Sequence, residues 1–312
     1  MPPAPAASRS EDIPLKGILL VVTAVLIAPA MNGIAKELGG RYPVLEIVWA
    51  RYFFHLLPML PFLVRRHGWA GFLPPHPGLQ VFRSGLLLVS TCFFFAALTV
   101  LPFADTQALS FVYPLVVTAL APFVLDERVG LRRWTAVAVG FLGAVIVIRP
   151  GFSGMDMLGS LFALAAGGLY GGYLVATRRL SRTALPLVTL AFTALVGLVG
   201  LTLVLPAVWV TPTAADFGLM ILMGMLAALT TYMLICAFDH APASVLAPFG
   251  YVEMIGAVAI GFLAFGDLPD FWTWVGIAVI VGSGLYISVR ERKRRVPPAA
   301  IDRSVSPRAG TP

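Results

Sequence analysis

Residues 84–101 read SGLLLVSTCFFFAALTVL and carry no charged side chain. A helix of this length extends roughly 27 Å at 1.5 Å per residue, close to the thickness of the hydrocarbon core of a bilayer. The rest of the chain has a similar character, because 59% of its 312 residues are hydrophobic and only 12% are charged. An average soluble domain has about 25% charged residues. Most of this chain is therefore predicted to lie in lipid.

Nine further apolar segments flank this one along the chain. Each has about the 17 to 25 residues that a spanning helix needs. The first is longer than the apolar region of a signal peptide and is predicted to be retained as a span. The predicted fold class is an all-α membrane protein with ten transmembrane helices. The predicted spans are 15–35, 44–64, 84–101, 106–125, 131–148, 157–177, 184–208, 217–238, 243–265 and 271–289.

The basic residues are distributed unevenly between the two sides of these spans. Of the 22 Lys and Arg residues, eighteen fall on one side, three (Lys36, Arg41 and Arg149) fall on the other, and Arg51 lies inside a span. Since cytoplasmic segments carry the excess of Lys and Arg, both termini are predicted to be cytoplasmic. The basic stretch that begins at Arg290 is expected to contact anionic lipid headgroups. We therefore expect the basic residues behind the net charge of +7 to interact with membrane lipid. No nucleic-acid partner is expected.

Two stretches in the two halves of the chain follow the same pattern. Residues 114–127 read PLVVTALAPFVLDE and residues 253–267 read EMIGAVAIGFLAFGD. Each is apolar and ends in an acidic turn. Because five spans is an odd number, two such halves must cross the membrane in opposite directions. The predicted organisation is a tail at 1–14, a first five-helix repeat at 15–149, an inverted second repeat at 157–289, and a basic cytoplasmic tail at 290–312.

These residues resemble the EamA-type branch of the drug/metabolite transporter superfamily, over essentially all of 15–289. The features that carry the resemblance are Asn32-x-x-x-Lys36, Trp49-x-Arg51, Pro114 with Asp126-Glu127, and Glu253 with Gly266-Asp267. The resemblance implies a ten-helix secondary transporter of the bacterial inner membrane, with two inverted repeats around a central cavity. The Asn/Lys/Arg pattern is similar to members that move S-adenosylmethionine, riboflavin or similar metabolites. Importers and exporters both occur in the family, so an effluxer of drugs or amino acids is the alternative.

Ionisable residues inside spans are candidates for function, because a charge in hydrocarbon costs roughly 2.5 to 3.5 kcal/mol. Arg51 and His55 are four residues apart and share a helix face. Glu253 lies near the middle of the ninth predicted span. We predict that Arg51 pairs with Glu253 and that they contact substrate or a gate, with Glu253 serving in proton coupling or in binding a cationic group. The structural alternative is that Arg51 pairs with Glu46, Glu253 or backbone carbonyls only to permit insertion.

Polar and aromatic residues in other spans complete the predicted substrate-binding and gating set. A cavity for an organic metabolite needs mostly apolar walls and a few hydrogen-bonding groups. For each tyrosine, helix packing or a position at the membrane interface is the alternative role. The remaining members of the set are Asn32, Lys36, Gln107, Tyr113, Tyr170, Tyr173 and Tyr232.

Small residues and prolines inside the spans indicate packing and bending. The sixth predicted span reads Ala163-x-x-x-Gly167-x-x-x-Gly171, which is typical of a face where helices approach closely. Prolines remove a backbone hydrogen bond and are candidate bending points. Examples inside predicted spans are Pro29, Pro58, Pro114 and Pro248.

Other classes of function find little support in the sequence. The four histidines form no HExxH motif or cluster, and the chain has no phosphate-binding Gly-rich loop, so no catalytic residue, metal or cofactor is expected. Nothing indicates a selectivity filter of the kind that a channel requires. The expected partners are a small-molecule substrate and membrane lipid, while proton coupling and a homodimer stay open.

Overall fold

The computed structural model describes residues 12–68, 75–127, 129–149, 155–180 and 186–295. This part of the chain contains helices and no strand, and it confirms the predicted all-α membrane fold class. The helices are α1 (Asp12–Gly39), α2 (Val44–His67), α3 (Pro77–Val100), α4 (Phe103–Ser110), α5 (Tyr113–Val124), α6 (Leu131–Ile148), α7 (Met157–Leu180), α8 (Pro186–Val208), α9 (Ala214–His240), α10 (Ala243–Leu246), α11 (Glu253–Phe265) and α12 (Phe271–Arg295).

In the described part of the chain, ten helical segments have the length to cross a bilayer. Within the described residues, nine of them combine that length with sufficient apolar character. The tenth, α2, has 24 residues and packs between α8 and α9 inside the bundle. The terminal tails beyond 12–295, including most of the predicted basic tail, lie outside the described residues.

The fourth and ninth predicted spans are broken helices. Residues 111 and 112 separate α4 from α5, and the 3₁₀ turns of Ala247–Val252 separate α10 from α11. Pro114 and Pro248 stand at these two breaks, where a missing N–H interrupts the helical hydrogen bonds. Pro29 and Pro58 lie inside helices that continue past them. Backbone groups freed at such breaks are available to a site inside the membrane.

Helix pairing follows one pattern in the two halves of the chain. In one half, α3 and α5 both pack on α7 of the other half. In the corresponding way, α9 and α11 both pack on α1. Helices α6 and α12 pair with each other, as do α2 and α8. These pairings are what a two-fold relation between the halves would produce. The division into repeats at 15–149 and 157–289 stays a prediction.

Helix ends gather at two opposite faces of the bundle. The end of α1, the start of α7 and the end of α3 meet on the face that we call the Lys36 face, where Lys36 and Gly159 both contact Leu101. The end of α7 and the end of α5 meet on the opposite Arg178 face, where Arg178 pairs with Glu127. Helices α1 and α7 therefore cross the bundle in opposite directions.

The small residues of α7 form a close-packing face, as predicted, and this face lies against the break between α4 and α5. A Cβ atom added at Gly167 would lie 2.5 Å from the carbonyl oxygen of Ser110, and one added at Gly171 would lie 2.9 Å from Val116. The neighbouring Gly168 has open space within 4 Å among the described residues. Backbone approach of this kind requires glycine, so Gly167 and Gly171 hold the broken helix in place.

Helix α3 begins seven residues before the predicted span. Gln80 and Arg83 were predicted to precede the span, but they lie in its first two turns and are fully buried. The reason is that threonine hydroxyls on α7 and α8 surround Arg83. Such partners on distant helices let a charged residue lie inside the bundle.

Candidate functional site

The two helix breaks bring Gln107 and Glu253 together. Gln107 lies in the last turn of α4, and Glu253 is the first residue of α11. The side-chain Nε2 of Gln107 donates a hydrogen bond of 3.1 Å to Oε1 of Glu253. Glu253 follows directly on the 3₁₀ turns of Ala247–Val252, and its backbone N–H donates to the carbonyls of Gly250 and Tyr251. A carboxylate is thereby placed inside the membrane-spanning part of the bundle.

Arg51 lies on α2, and hydroxyl and aromatic groups surround its guanidinium. Its Nη1 donates to Oγ1 of Thr91 at 3.2 Å, and Cζ lies 5.7 Å from the ring centre of Phe95 and 5.9 Å from that of Tyr52. Aromatic faces attract a guanidinium through their quadrupole. The Nε atom of Arg51 is buried without a hydrogen-bond partner among the described residues. Arg51 is thus held in position with part of its donor capacity unused.

The predicted ion pair between Arg51 and Glu253 is wrong. No ion pair joins them in the described part of the chain. The carboxylate of Glu253 instead accepts a hydrogen bond from Gln107, and the guanidinium of Arg51 donates one to Thr91. Tyr170 of α7 lies near enough to interact electrostatically with both. We call Arg51, Thr91, Gln107, Tyr170 and Glu253 the central group.

A line of aromatic rings runs from the central group toward the Arg178 face. The rings of Tyr113 and Tyr170 meet edge to face at 5.1 Å, and those of Tyr170 and Tyr173 stack at 5.7 Å. The guanidinium of Arg83 lies 5.0 Å from the centre of the Tyr173 ring. Arg83 also donates to Oγ1 of Thr177 at 3.0 Å, to the carbonyl of Thr189 at 2.9 Å and to the hydroxyl of Thr193. It joins α3, α7 and α8 where α3 and α8 begin and α7 ends.

Three other predicted site residues occupy different surroundings. His55 is half-buried one turn after Arg51, and its Nε2 has no partner among the described residues. Asn32 is buried in α1, one turn before Lys36. Tyr232 is 58% exposed on α9 and interacts with Cys236 on the same helix. That Tyr232 lines the site stays a prediction.

Lys36 lies at one end of the bundle rather than in the central group. Its Nζ donates to the carbonyl of Leu101 at 2.5 Å and lies 3.6 Å from Oδ2 of Asp267. It also lies 5.3 Å from the centre of the Phe265 ring, which stacks on Phe103. One ammonium group therefore connects the ends of α1, α3 and α11 on the Lys36 face.

Arg178 and Glu127 form an ion pair of 3.5 Å on the opposite face. Glu127 and Asp267 have the same backbone setting. The residue before each is left-handed, with φ of 55° at Asp126 and 70° at Gly266. The N–H of each acid donates to a carbonyl six residues earlier. The ends of α5 and α11 thus present a carboxylate in the same way to the cation at the end of α7 or α1.

A second ion pair on the Lys36 face joins α6 to α12. Nη2 of Arg149 lies 2.5 Å from Oδ2 of Asp270, and the backbone N–H of Thr273 donates to Oδ1 at 2.8 Å. Burial acts to raise the pKa of Asp270, but these hydrogen bonds outweigh it and hold the pKa below its ordinary value. Asp270 therefore stays ionised and ties these two helices together.

Sequence reasoning missed Thr91, Arg83 and Asp105. Thr91 looked like an ordinary polar residue of an apolar span, and Arg83 was assigned to a loop. Asp105 is buried in the first turn of α4 and interacts with Lys36 and Asp267. Its acidic side chain beside a predicted span was the signal that could have identified it, because acids in spans are rare.

The chain is similar to known proteins over most of its length. The model of the EamA-like transporter family matches residues 15–149 and 157–289. The chain is 31% identical over 279 residues to a riboflavin transporter of Brucella anthropi. The aligned region covers 86% of this chain and 96% of that protein. It is 27% identical over 279 residues to an S-adenosylmethionine uptake transporter of Rickettsia conorii, covering 89% and 94%.

Two further similarities concern direction and fold. The pseudopaline exporter CntI of Pseudomonas aeruginosa is 28% identical over 282 residues, covering 89% of this chain and 97% of that protein. Relatives named for uptake and for export are thus both similar to the chain. A protein of known crystal structure superimposes with a TM-score of 0.63 over 90% of this chain and 99% of its own, at 19% identity. That likeness concerns the fold alone.

Proposed function

Since the chain belongs to the EamA-like transporter family, we propose that it is an alternating-access carrier of a small organic metabolite. It is a multi-pass membrane transporter rather than an enzyme. The names of its relatives, which refer to S-adenosylmethionine, riboflavin and pseudopaline, support an organic cargo for this chain too. The observation that supports alternating access is a matched pair of ion pairs, which we call the closures. Lys36 with Asp267 forms the closure on one face of the bundle, and Arg178 with Glu127 forms the closure on the other.

These closures stand at corresponding positions of two inverted repeats, 15–149 and 157–289. Lys36 ends α1 and meets Asp267 after α11, while Arg178 ends α7 and meets Glu127 after α5. An exchange between two states needs closures of similar strength, so that neither state dominates. Ion pairs that are partly exposed contribute only about 0 to 1 kcal/mol each. Both pairs are therefore weak enough to open in turn while the central group stays between them.

In this proposal the protein lies in the bacterial inner membrane with both termini in the cytoplasm. The excess of Lys and Arg in segments next to the Arg178 face supports this orientation. The Arg178 face is then cytoplasmic, and the Lys36 face is external.

The central group binds the substrate, with His55, Tyr113 and Tyr173 contributing to the walls. Lys36 and Asn32 belong to the external closure, and Arg83 belongs to the cytoplasmic one. Glu253 either carries a coupled proton or meets a cationic part of the substrate, since a carboxylate inside a membrane marks one of these roles.

Counterflow in proteoliposomes tests the proposal. Purified protein is reconstituted with and without an internal load of one unlabelled amino acid, flavin or nucleoside derivative, and uptake of the same labelled compound is followed. A carrier is expected to give saturable uptake that the internal load stimulates several-fold. Single-channel currents, or flux that rises linearly with concentration, would contradict the carrier.

A further inference from the structure

A groove opens between α1 and α9 near the start of α1. Because α1 ends at the Lys36 face, its start lies at the Arg178 face. Lys16 and Lys36 are 20 residues apart on this helix, which corresponds to about 30 Å at 1.5 Å per residue. This is the thickness of the hydrocarbon core, so the groove lies at the level of the lipid headgroups. Its volume is about 320 Å³, and its lining residues are Lys16, Leu19, Leu20, Thr23 and His240.

Two basic side chains supply the polar part of this groove. Lys16 is exposed and takes part in no ion pair of the described residues. Nδ1 of His240 lies 2.7 Å from the carbonyl oxygen of Cys236. Since a carbonyl only accepts, Nδ1 is the donor and Nε2 is left for a ligand, to which it donates when the ring is protonated. The hydroxyl of Thr23 donates to the carbonyl of Leu19 at 2.8 Å. No acid is among the described residues that line the groove, so it suits a negatively charged group.

Apolar surface continues from the groove toward the middle of the membrane. Leu19 and Leu26 on α1 are 57% and 43% exposed, and Leu229 on α9 is 45% exposed. Leu26 lies two helical turns beyond Leu19, and Leu229 lies three turns before His240, so each shares a helix face with a residue of the groove. The two faces are neighbours because α1 packs along α9. A basic groove at headgroup level is thus joined to an apolar strip at the depth of the acyl chains.

We propose that this groove binds one anionic phospholipid. Its phosphate diester lies between Lys16 and His240, and an acyl chain follows the exposed leucines of α1 and α9. In the orientation proposed above, the groove faces the cytoplasmic leaflet, where anionic headgroups are bound by basic pockets between membrane helices. A soluble anion would leave the apolar strip uncovered, and a zwitterionic lipid would bring a cation close to the two basic side chains. The site is separate from the central group and does not depend on which compound is transported.

Native mass spectrometry of the purified full chain in detergent tests the proposal. Dioleoylphosphatidylglycerol and dioleoylphosphatidylcholine are compared, because they share their acyl chains and differ in headgroup charge. One phosphatidylglycerol is expected to bind at least tenfold more tightly than phosphatidylcholine. The double variant Lys16→Gln with His240→Gln removes both basic groups and is expected to remove this preference. Thr23→Trp fills the groove without changing its charge and is expected to weaken binding of phosphatidylglycerol by a similar factor.

The matched control is the double variant Arg65→Gln with His76→Gln. These two residues are exposed at the end of α2 and before the start of α3, and the variant is expected to bind phosphatidylglycerol as the wild type does. An equal loss in this control would mean that any basic group on the surface attracts the lipid, and would overturn the site. Displacement of the lipid by millimolar inorganic phosphate would overturn it in favour of a soluble anion. A dimer that Thr23→Trp dissociates, with no bound phosphatidylglycerol, would overturn it in favour of a second copy of the chain.

Discussion

Replacing Glu253 with glutamine is expected to lower the rate of counterflow at least tenfold. The change keeps the size of the side chain and an oxygen that can accept from Gln107, whose hydrogen bond measures 3.1 Å. It removes the carboxyl group, and with it the capacity to carry a negative charge or a proton in the middle of the bundle. Binding of a cationic group and carriage of a proton both need that charge, so either role predicts the loss. The initial rate is measured between pH 5.5 and 8.5.

The control for this variant is Glu37→Gln. Glu37 is exposed on α1 and pairs with Arg41 at the surface, where such a pair has little energetic weight. Its rate is expected to match that of the wild type. Loss of the pH dependence in Glu253→Gln would identify proton coupling, and a retained pH dependence would identify substrate binding. A wild-type rate at every pH would show that Glu253 has no part in transport.

Reversing the charge of Lys36 is expected to lower exchange by a similar factor. In Lys36→Glu a carboxylate would face Asp267 and lose the bond to the Leu101 carbonyl. Two like charges about 4 Å apart repel by roughly 1 to 4 kcal/mol between the dielectric of water and that of a protein surface. The closed state of the Lys36 face is destabilised by that amount, so the carrier accumulates with this face open.

The double variant Lys36→Glu with Asp267→Lys distinguishes loss of closure from loss of fold. It restores an attractive pair and is expected to recover at least a third of the wild-type rate. The same design applies to Arg178→Glu with Glu127→Arg on the other face, since this pair has the corresponding setting. Thermal unfolding in detergent monitors the fold of each protein. A well-folded double variant that stays as slow as the single variant would contradict the closure.

The number of spans could be predicted from the sequence because it depends on the length of apolar runs. The same reasoning placed the start of α3 too late. A rule that counts charges ends a span at Arg83, whereas the threonines that accommodate this residue lie more than ninety positions further along the chain. Hydrogen-bond partners on other helices decide whether a charged side chain can be buried. The local sequence around the charged residue does not show which distant residues will be those partners.

The helix breaks show the same dependence on neighbours. Four prolines were predicted as bending points, but only Pro114 and Pro248 stand at breaks. At Pro114, α7 can approach the broken segment because Gly167 and Gly171 have no side chain. A proline inside a helix is tolerated where the surroundings satisfy the freed carbonyl, and those surroundings follow from packing.

The candidate site could be predicted as a set of residues but not as a set of contacts. Arg51, Gln107, Tyr170 and Glu253 were identified because charged and aromatic side chains are conspicuous in apolar spans. Their pairing depends on how each helix is rotated about its axis. Neighbouring residues on a helix point in directions about 100° apart. The rotation of α9 about its axis therefore decides which of its side chains are buried and leaves Tyr232 exposed. The Arg51 and Glu253 pair failed for the same reason.

Labelling of Cys92 from each side of the membrane tests most directly whether the central group is exposed alternately. Cys92 is half-buried beside Thr91 and interacts electrostatically with Arg51, and Cys236→Ser removes the other thiol. In oriented proteoliposomes an impermeant thiol reagent is expected to reach Cys92 from both sides. Asp267→Asn is expected to raise the rate several-fold from the Lys36 face and lower it from the other, and Glu127→Gln is expected to do the reverse. Labelling from one side only, unchanged by either variant, would contradict alternating access.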